Sequence, residues 1–583
     1  MKRLKITLLL AHLFVLTASA QVADVLVDFE DKETGSVMPV FSLTGSSAAV
    51  AVVADDPAGG NRKHVVHVTT ANDARESGLN IRLANLPSGY TLSDYDFIAF
   101  DYYRGDNDSG SAKAYVAMNG REVWRDPVPG PYEQKGKWFR RVLSLESLAG
   151  NTKTRIMPLH IGLLGGGKDY YIDNIRLVRD IDYGYDLDNP TTTLRYYADR
   201  LGLNVGVAMA DGDNFFYSGG YVGRPESQWT RAFTGLFNAT VCGNEMKWEA
   251  IEPRRGEFNF ERPDQLVDLA LSHGMKVRGH TLCWHAQLAG WVYDIKDRDD
   301  MLAALKHHIL TVVGHYKGKV YEWDVCNEMI DAGVDDGLCR DIFCNVIGPD
   351  YLDSCFVWAH RADPDARLVM NDFLVEYNGD AKAMKLFRKA VQMKRDGIPI
   401  DGVGYQCHCY WLGAIASMKV SILGLLKLYE RYGLDVSFTE MDQGLSYDDR
   451  DKLSAWEAQA NDYRALMEIA VKAPNVHTLI VWGMTDPYSW RPTFDGAQQP
   501  LLLGDYIQAK PAYFAMLDVL REAAEATGIS SLSPNSSPIG WEDQQGVYDL
   551  QGRRVPVDFQ FSNFNSQLNK GLYIINGKKV LIK

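Results

Sequence analysis

Two apolar runs in this chain end on groups that a buried strand normally excludes. VYEWDVCNEMI, residues 320–330, carries Val320, Tyr321, Trp323 and Val325 into Asn327 and Glu328. LDVSFTEMD, residues 434–442, runs into Thr439, Glu440 and Asp442. An unpartnered carboxylate is too costly to bury without a reason, so each terminus points to a place where an acid is put to use. Two carboxylates across a polar cleft are the minimum equipment for glycoside hydrolysis. One, in its acid form, protonates the leaving oxygen, and the other attacks the sugar or activates water.

The elements that must position such a pair can be counted. Apolar strands start near 203 (LNVGVAMA), 236 (LFNATVCGNE), 276 (KVRGHTLCW), 320 (VYEWDVCNE), 366 (ARLVMNDF), 401 (DGVGYQCH), 435 (DVSFTEMD) and 477 (HTLIVWGM). Between them, RPDQLVDLALSHG, RDDMLAALKHHILTVVGHY and DAKAMKLFRKAVQMKRDG have apolar residues at helical spacing, and two of the three close on Gly. Eight near-continuously apolar strands alternating with helices predict a (β/α)8 TIM barrel over residues 195–520. Active sites of such barrels lie at the C-terminal strand ends, and here those ends carry Asn244-Glu245, His280, Asn327-Glu328, Asn371-Asp372, Gln406 with His408, and Glu440 with Asp442. Glu328 and Glu440 follow strands four and seven, on opposing sides of the mouth, so both can project toward one point.

The 583 residues exceed what one core usually organises, and with 46% hydrophobic and 11% aromatic residues the composition is globular, so two or three folded units are expected. A net charge of −14 without a basic patch argues against nucleic acid as a partner. MKRLKITLLLAHLFVLTASAQ places Lys2, Arg3 and Lys5 before an apolar run and Ala18-Ser19-Ala20, the pattern of a cleaved export signal over residues 1–20. The run is shorter than the ~20 residues of a membrane span, so none is expected after signal removal, and the chain is expected to be secreted or held at the outer cell surface. The eight cysteines are confined to residues 242–409, which does not read as a disulfide framework. Cys407-His408-Cys409 alternates across a strand without a second ligand pair, so no metal site and no cofactor are expected.

Residues 22–180 contain short alternating runs (HVVHVTT, DFIAFDYY, AKAYVAM, YYIDNIRLV) between Gly, Asn, Asp and Pro clusters, which argues for an all-β sandwich. Its closing strand resembles that of jelly-roll carbohydrate-binding modules, and Trp124, Trp138, Tyr102 and Tyr103 are the aromatics that would either stack on sugars or fill the core. Residues 521–583 thin into TGISSLSPNSSP and resume with GVYDLQGRRV and GLYIINGKKVLIK, a linker and small β tail. That tail resembles the C-terminal sorting domains of type IX secretion substrates.

NEMKWEAIEPRRGEFNF, RGHTLCWHAQLAGWV, WDVCNE, VGYQCH, FTEMD and VWGMTDPYSWRP, in that order, are similar to the motif series of glycoside hydrolase family 10, the endo-β-1,4-xylanases. The resemblance implies a retaining double displacement on xylan and xylo-oligosaccharides, with Glu328 as acid/base and Glu440 as nucleophile, in a chain acting as a monomer. It implies that Asn327 holds a sugar 2-hydroxyl, that His408 hydrogen-bonds the nucleophile and that Asp442 orients His408. Asn244, Lys247, His280, Trp284 and Gln287 match the nonreducing-side sugar subsites. Gln406 is a further strand-end contact, and Trp482 and Trp490 match the aromatic walls. A cellulase or mannanase on the same barrel would share Asn327, Glu328 and Glu440 but not NEMKW and RGHTLCWH. A silenced barrel that only binds glycan would not keep Glu328, Glu440, Asn327 and His408 together.

Two positions depart from the family pattern. Gly243 stands where a carboxylate usually precedes Asn244, which removes a hydrogen bond to a sugar in the second glycone subsite and opens space. Phe373 stands where Tyr frequently follows the Asn-Asp pair, which removes a hydroxyl from the aglycone side. One hydrogen bond to a neutral hydroxyl is worth about 0.5–1.5 kcal/mol, so Gly243→Glu is expected to lower KM for xylotriose severalfold with less effect on long chains. An unchanged KM on xylotriose would refute the subsite assignment.

Overall fold

The computed structural model describes residues 22–42, 49–59, 62–71, 76–82, 90, 94–105, 114–118, 121–125, 136–145, 158–164, 167–209, 227–527, 547–548, 571–575 and 578–582. The expected signal at 1–20, the connection at 528–546 and the side chain of Trp124 lie outside the described residues. The chain divides into two compact units, with the change at Gly184–Tyr185.

The first unit is antiparallel throughout. Among the described residues its strands are β1 (Val22–Val27), β2 (Val40–Ser42), β3 (Ala49–Asp55), β4 (His64–Thr70), β5 (Glu76–Arg82), β6 (Phe97–Arg104), β7 (Ala114–Met118), β8 (Arg121–Arg125), β9 (Trp138–Ser144), β10 (Pro158–Leu164) and β11 (Asp169–Arg179). One sheet runs β3-β4-β11-β6-β9 with β1 also on β11, and the other runs β2-β5-β10-β7-β8. β6 is buried at every position except Tyr103, so it is covered on both faces.

Pairing aligns His67, Tyr171, Tyr103 and Trp138 in one row across β4, β11, β6 and β9. Neighbouring ring centroids are 4.3, 5.7 and 5.5 Å apart. Of the aromatics singled out in the sequence, Tyr102 is core and Trp138 is buried, with its indole N–H on Asp56 (2.9 Å) and the Arg62 guanidinium over its ring. Tyr103 is half-buried within the row. Arg62 also bridges Asp101 and Asp173 (3.0 and 2.8 Å).

The second unit is a closed parallel barrel of β12 (Asn204–Met209), β13 (Ala239–Cys242), β14 (Lys276–Gly279), β15 (Val320–Asn327), β16 (Arg367–Asp372), β17 (Gly402–Tyr405), β19 (Asp435–Gln443) and β20 (Val476–Val481). Each pairs with its sequence neighbour, and β20 returns to β12 to close the ring. The two-residue β18 (His408–Cys409) extends the β17 edge and pairs with β19 at the mouth, setting His408 opposite Asp442.

The helices form where the amphipathic spacing requires. In Arg298–His315 the buried residues Met301, Ala304, Leu305, His308, Ile309, Val312 and Val313 follow i, i+3, i+4 spacing, and Asp297 caps the first turn by accepting from the Asp300 N–H (2.9 Å). Gly274 and Gly397, which follow two of the helices, take φ of +67° and +77°, a left-handed conformation that favours glycine. All eight cysteines carry free thiols. Among the described residues, no helix is long and apolar enough to cross a membrane. At the C-terminus, the strands Val547–Tyr548, Gly571–Ile575 and Lys578–Ile582 form a small antiparallel sheet.

Inside the barrel lies a fully buried ionic cluster. Arg278 donates from Nε to Glu322 (2.6 Å) and from both terminal nitrogens to Asp324, one of these at 2.7 Å. Burial would raise Asp324, but the Arg278 charge and the His280 hydrogen bond outweigh it and hold Asp324 below its ordinary value. Removing one partner from a buried ion pair strands the other charge. Arg278→Met is therefore expected to destabilise the barrel by about 3–5 kcal/mol in denaturant unfolding; a loss under ~1 kcal/mol would show that the cluster is dispensable.

Candidate active site

Both carboxylates reach the mouth through local backbone geometry. Asn327 ends β15, and Glu328 then takes a φ of +56°, a conformation rare for a side chain larger than glycine and one that turns the chain out of the strand. The turn is held by the Glu328 N–H on the Asn371 carbonyl (2.8 Å) and the Asn327 N–H on the Cys283 carbonyl (2.9 Å). The Ile330 N–H then donates to the buried Asp372 carboxylate (2.9 Å). Glu328 Oε1 accepts from Gln406 Nε2 (3.1 Å) and from the Asn327 amide (3.3 Å).

Glu440 is buried on β19, and both of its oxygens are engaged. Oε1 accepts from Asn371 Nδ2 (2.7 Å), which also donates to Asn327 Oδ1 (2.9 Å), while the Thr439 hydroxyl fixes the Asn371 amide by donating to its Oδ1 (2.7 Å). Oε2 meets His408 Nε2 at 3.2 Å, and His408 Nδ1 lies 2.9 Å from Asp442 Oδ2. The Trp490 indole N–H donates to the same Asp442 oxygen (2.8 Å), and Arg491 pairs with the other. His280 Nδ1 stands 4.0 Å from Glu440 and 2.9 Å from Asp324.

The electrostatics follow from these contacts. Burial would lower His408, but the Asp442 charge and hydrogen bond, joined by Glu440, carry it up to about 10, so it is a cation that donates from both nitrogens at neutral pH. Burial would raise Glu440, but the His408 hydrogen bond and the neighbouring His280 and His408 charges bring it below its ordinary value. Asp442 is likewise depressed, with burial outweighed by His408, Arg491 and Trp490. Such a set keeps Glu440 ionised and fixed in orientation, as a nucleophile requires.

On the far side of the cleft, Lys247 Nζ donates to Asn244 Oδ1 (3.0 Å) and Gln287 Oε1 (2.6 Å). Trp284 packs near Lys247, and Trp482 meets His280 edge-on at 5.2 Å. Trp490 meets His408 at 4.9 Å. One cleft of about 610 Å³ is lined by Asn244, Lys247, His280, Trp284, Gln287, Asn327, Glu328, Gln406, His408, Glu440, Trp482 and Trp490, that is, all but one of the residues assigned a catalytic, supporting or sugar-contacting role from the sequence. The exception, Asp442, is fully buried behind His408 and Trp490.

Gly243, Phe373, Tyr410, Tyr488, Ser489 and Phe494 complete the lining. Sequence reasoning passed over the roles of Asn371, the amide that joins the two carboxylate stations, and Arg491, which supports Asp442. The signals were available: Asn371 ends its strand as Asn327 does, and Arg491 directly follows Trp490.

Known proteins resemble this chain in sequence and fold. Residues 194–519 match Glycosyl hydrolase family 10. Endo-1,4-beta-xylanase B of Thermotoga neapolitana is 35% identical over 334 residues, covering 56% of this chain and 92% of that protein. A beta-1,4-xylanase of Dictyoglomus thermophilum is 37% identical over 292 residues, covering 48% and 81%. The crystal structure of xylanase 10B from Thermotoga petrophila in complex with xylobiose superposes with a TM-score of 0.51 at 32% identity, covering 57% of this chain and 97% of that one. With its carboxylate stations on strands four and seven of a closed barrel and more than half its length matched, this chain belongs to glycosyl hydrolase family 10.

Proposed function

We propose that the barrel works as a retaining endo-1,4-β-xylanase with Glu440 as nucleophile and Glu328 as acid/base. The observation that carries the assignment of roles is the asymmetry of the two stations. Glu440 is buried and held ionised by a histidinium, whereas Glu328 is met only by neutral amides. A group that must gain and lose a proton in each cycle suits the second setting. Glu440 attacks the anomeric carbon while Glu328 gives its proton to the departing xylosyl oxygen. Glu328 then takes a proton from water, which displaces Glu440 and leaves Glu328 protonated again. Asn327, fixed by Asn371, is placed to hold the 2-hydroxyl of the sugar under attack.

Glu440→Ala is expected to abolish turnover of xylan and aryl xylosides alike. Glu328→Ala is expected to lower kcat on xylan by roughly 10²–10⁴-fold, to spare the first step on an aryl glycoside with a good leaving group, and to yield a β-glycosyl azide when azide is added. Wild-type release of reducing ends from xylan by either variant would overturn the roles.

The His408 cation supplies a third test. In His408→Gln the burial that pushes Glu440 upward is no longer countered by a histidinium. The acid limb of the kcat/KM profile should therefore move to higher pH. An acid limb that stays in place would show that His408 does not set the charge of Glu440.

For the rest of the chain, we infer that the front unit is a jelly-roll carbohydrate-binding module, that residues 1–20 direct export and that the C-terminal β tail serves sorting. The antiparallel two-sheet layout and the half-buried His67, Tyr171 and Tyr103 of the aromatic row support the glycan-binding reading. Ring contacts are worth roughly 0.5–1.5 kcal/mol each, so binding should be weak. With the Glu440→Ala background silencing hydrolysis, the full chain should be retarded in a xylan affinity gel more than a chain lacking residues 22–180. Equal migration would leave the front unit without a glycan role.

A further inference from the structure

Three cysteines far apart in the chain meet between the barrel strands and a covering helix. Cys283 follows β14, Cys326 lies on β15 and Cys355 on the helix Tyr351–Ala362. Their sulfurs all lie within 4.8 Å of one another. Cys283 and Cys326 are side by side, bridged as parallel neighbours. All three are at most 2% exposed, and all are free thiols. None belongs to Cys407-His408-Cys409, the run weighed for a metal in the sequence. The other cluster of this kind among the described residues, His280 with Asp324 and Glu440, already serves the active site and is charge-paired with Arg278.

A buried cysteine can pack as a small apolar group, and a disulfide joins two sulfurs. Three sulfurs converging from three separate elements match a trigonal ion instead. Around a centre with bonds of about 2.3 Å, the length of a zinc–thiolate bond, such sulfurs stand roughly 4.0 Å apart. Soft sulfur ligands select Cu(I), Zn(II) or iron–sulfur clusters, and the last two take four ligands. No fourth His, Cys, Asp or Glu among the described residues completes the set. Asp341 adds negative potential at Cys326 and Cys355, the sign that favours a cation.

We propose that Cys283, Cys326 and Cys355 form a trigonal site for one cuprous ion. Loading exchanges thiol protons for the ion and transfers no electron. One proton released per cuprous ion leaves the charge of the buried site unchanged, whereas a divalent ion must displace two. The ion joins three segments, and two of them carry the cleft. Trp284 follows Cys283, Asn327 and Glu328 follow Cys326, and the Asn327 N–H donates to the Cys283 carbonyl (2.9 Å). The ion therefore clamps the helix behind the Glu328 turn, a stabilising role that does not depend on which glycan the cleft takes.

The test uses the full chain in two preparations. One is produced in copper-supplemented medium and purified without oxygen or chelators. The other is reduced with dithiothreitol, desalted and incubated with cuprous chloride. Metal analysis should find one copper per chain, and X-ray absorption should show Cu(I) with three sulfur neighbours. The loaded protein should melt several degrees above the copper-free one, because an ion held only by the folded state stabilises it. Cys355→Ala and Cys355→Ser, both on the helix outside the cleft, should each lose the copper. Cys409→Ser, which alters the separate sulfur contact between Cys409 and Met441 (3.9 Å), should retain it.

Copper absent from both preparations would overturn the proposal, as would zinc in its place or copper with fewer than three sulfur neighbours. Copper retained by either Cys355 variant would overturn it too. A disulfide mapped between any two of the three cysteines in the protein as isolated would assign the cluster to oxidation and have the same effect. If neither Cys355 variant folds, the number of sulfurs around copper in the wild-type chain decides.

Discussion

The active site depends on keeping a largely buried carboxylate ionised in the wall of the cleft. Burial alone pushes Glu440 toward its protonated form, and a protonated carboxyl is no nucleophile. The protein's answer is an alternating line of charge: Glu440, the His408 cation, Asp442, Arg491 and Asp495, each in contact with the next. Every member needs its neighbours. His408 stays protonated because two carboxylates hold it, and Asp442 tolerates complete burial because Arg491 and Trp490 meet its remaining acceptor sites. The line ends at Asp495, which is partly exposed, so the buried charges are compensated step by step out to solvent.

A second line, from His280 through Asp324 to Arg278 and Glu322, enters from the barrel interior and brings a ring nitrogen toward Glu440 from the other side. Buried ion clusters of this kind add little net stability over an apolar core. Their presence beneath the mouth fits a role in orientation, because rotating His280 or Asn371 would break contacts at both ends. The fold contributes the register. β18 extends the β17 edge far enough to pair His408 with Asp442, and the left-handed turn at Glu328 points the acid into the cleft.

Much of this was legible in the sequence because a barrel buries its strands on both faces. An apolar run that ends on a carboxylate stands out against that background, so Glu328 and Glu440 announce themselves, and the count of eight apolar runs, with or without such an end, points to the architecture around them. Asn371 and Arg491 were less visible because their importance lies in what they bridge, and bridging is a property of register between strands far apart in the chain. The front unit shows the same limit. A period-two pattern reveals strands but not their order, so the row of His67, Tyr171, Tyr103 and Trp138 exists only once β4, β11, β6 and β9 are aligned. Composition alone could not tell that the Trp138 ring lies under Arg62.

The same reasoning changes the meaning of Phe373. In sequence it reads as a missing hydroxyl on the aglycone side. In the structure the Lys382 ammonium sits 3.3 Å from the centre of its ring, donates to the Phe373 carbonyl (2.9 Å) and pairs with Asp372 (2.7 Å). Asp372 in turn accepts from the Ile330 N–H, two residues beyond Glu328. The wall of the cleft and the turn that presents the acid are therefore tied through one lysine. Asp372 is pushed up to about 6 by burial despite Lys382, whereas Glu440 is held below its ordinary value. These settings suit the roles proposed above, in which Glu440 holds one charge and one position and Glu328 exchanges a proton twice in every turnover.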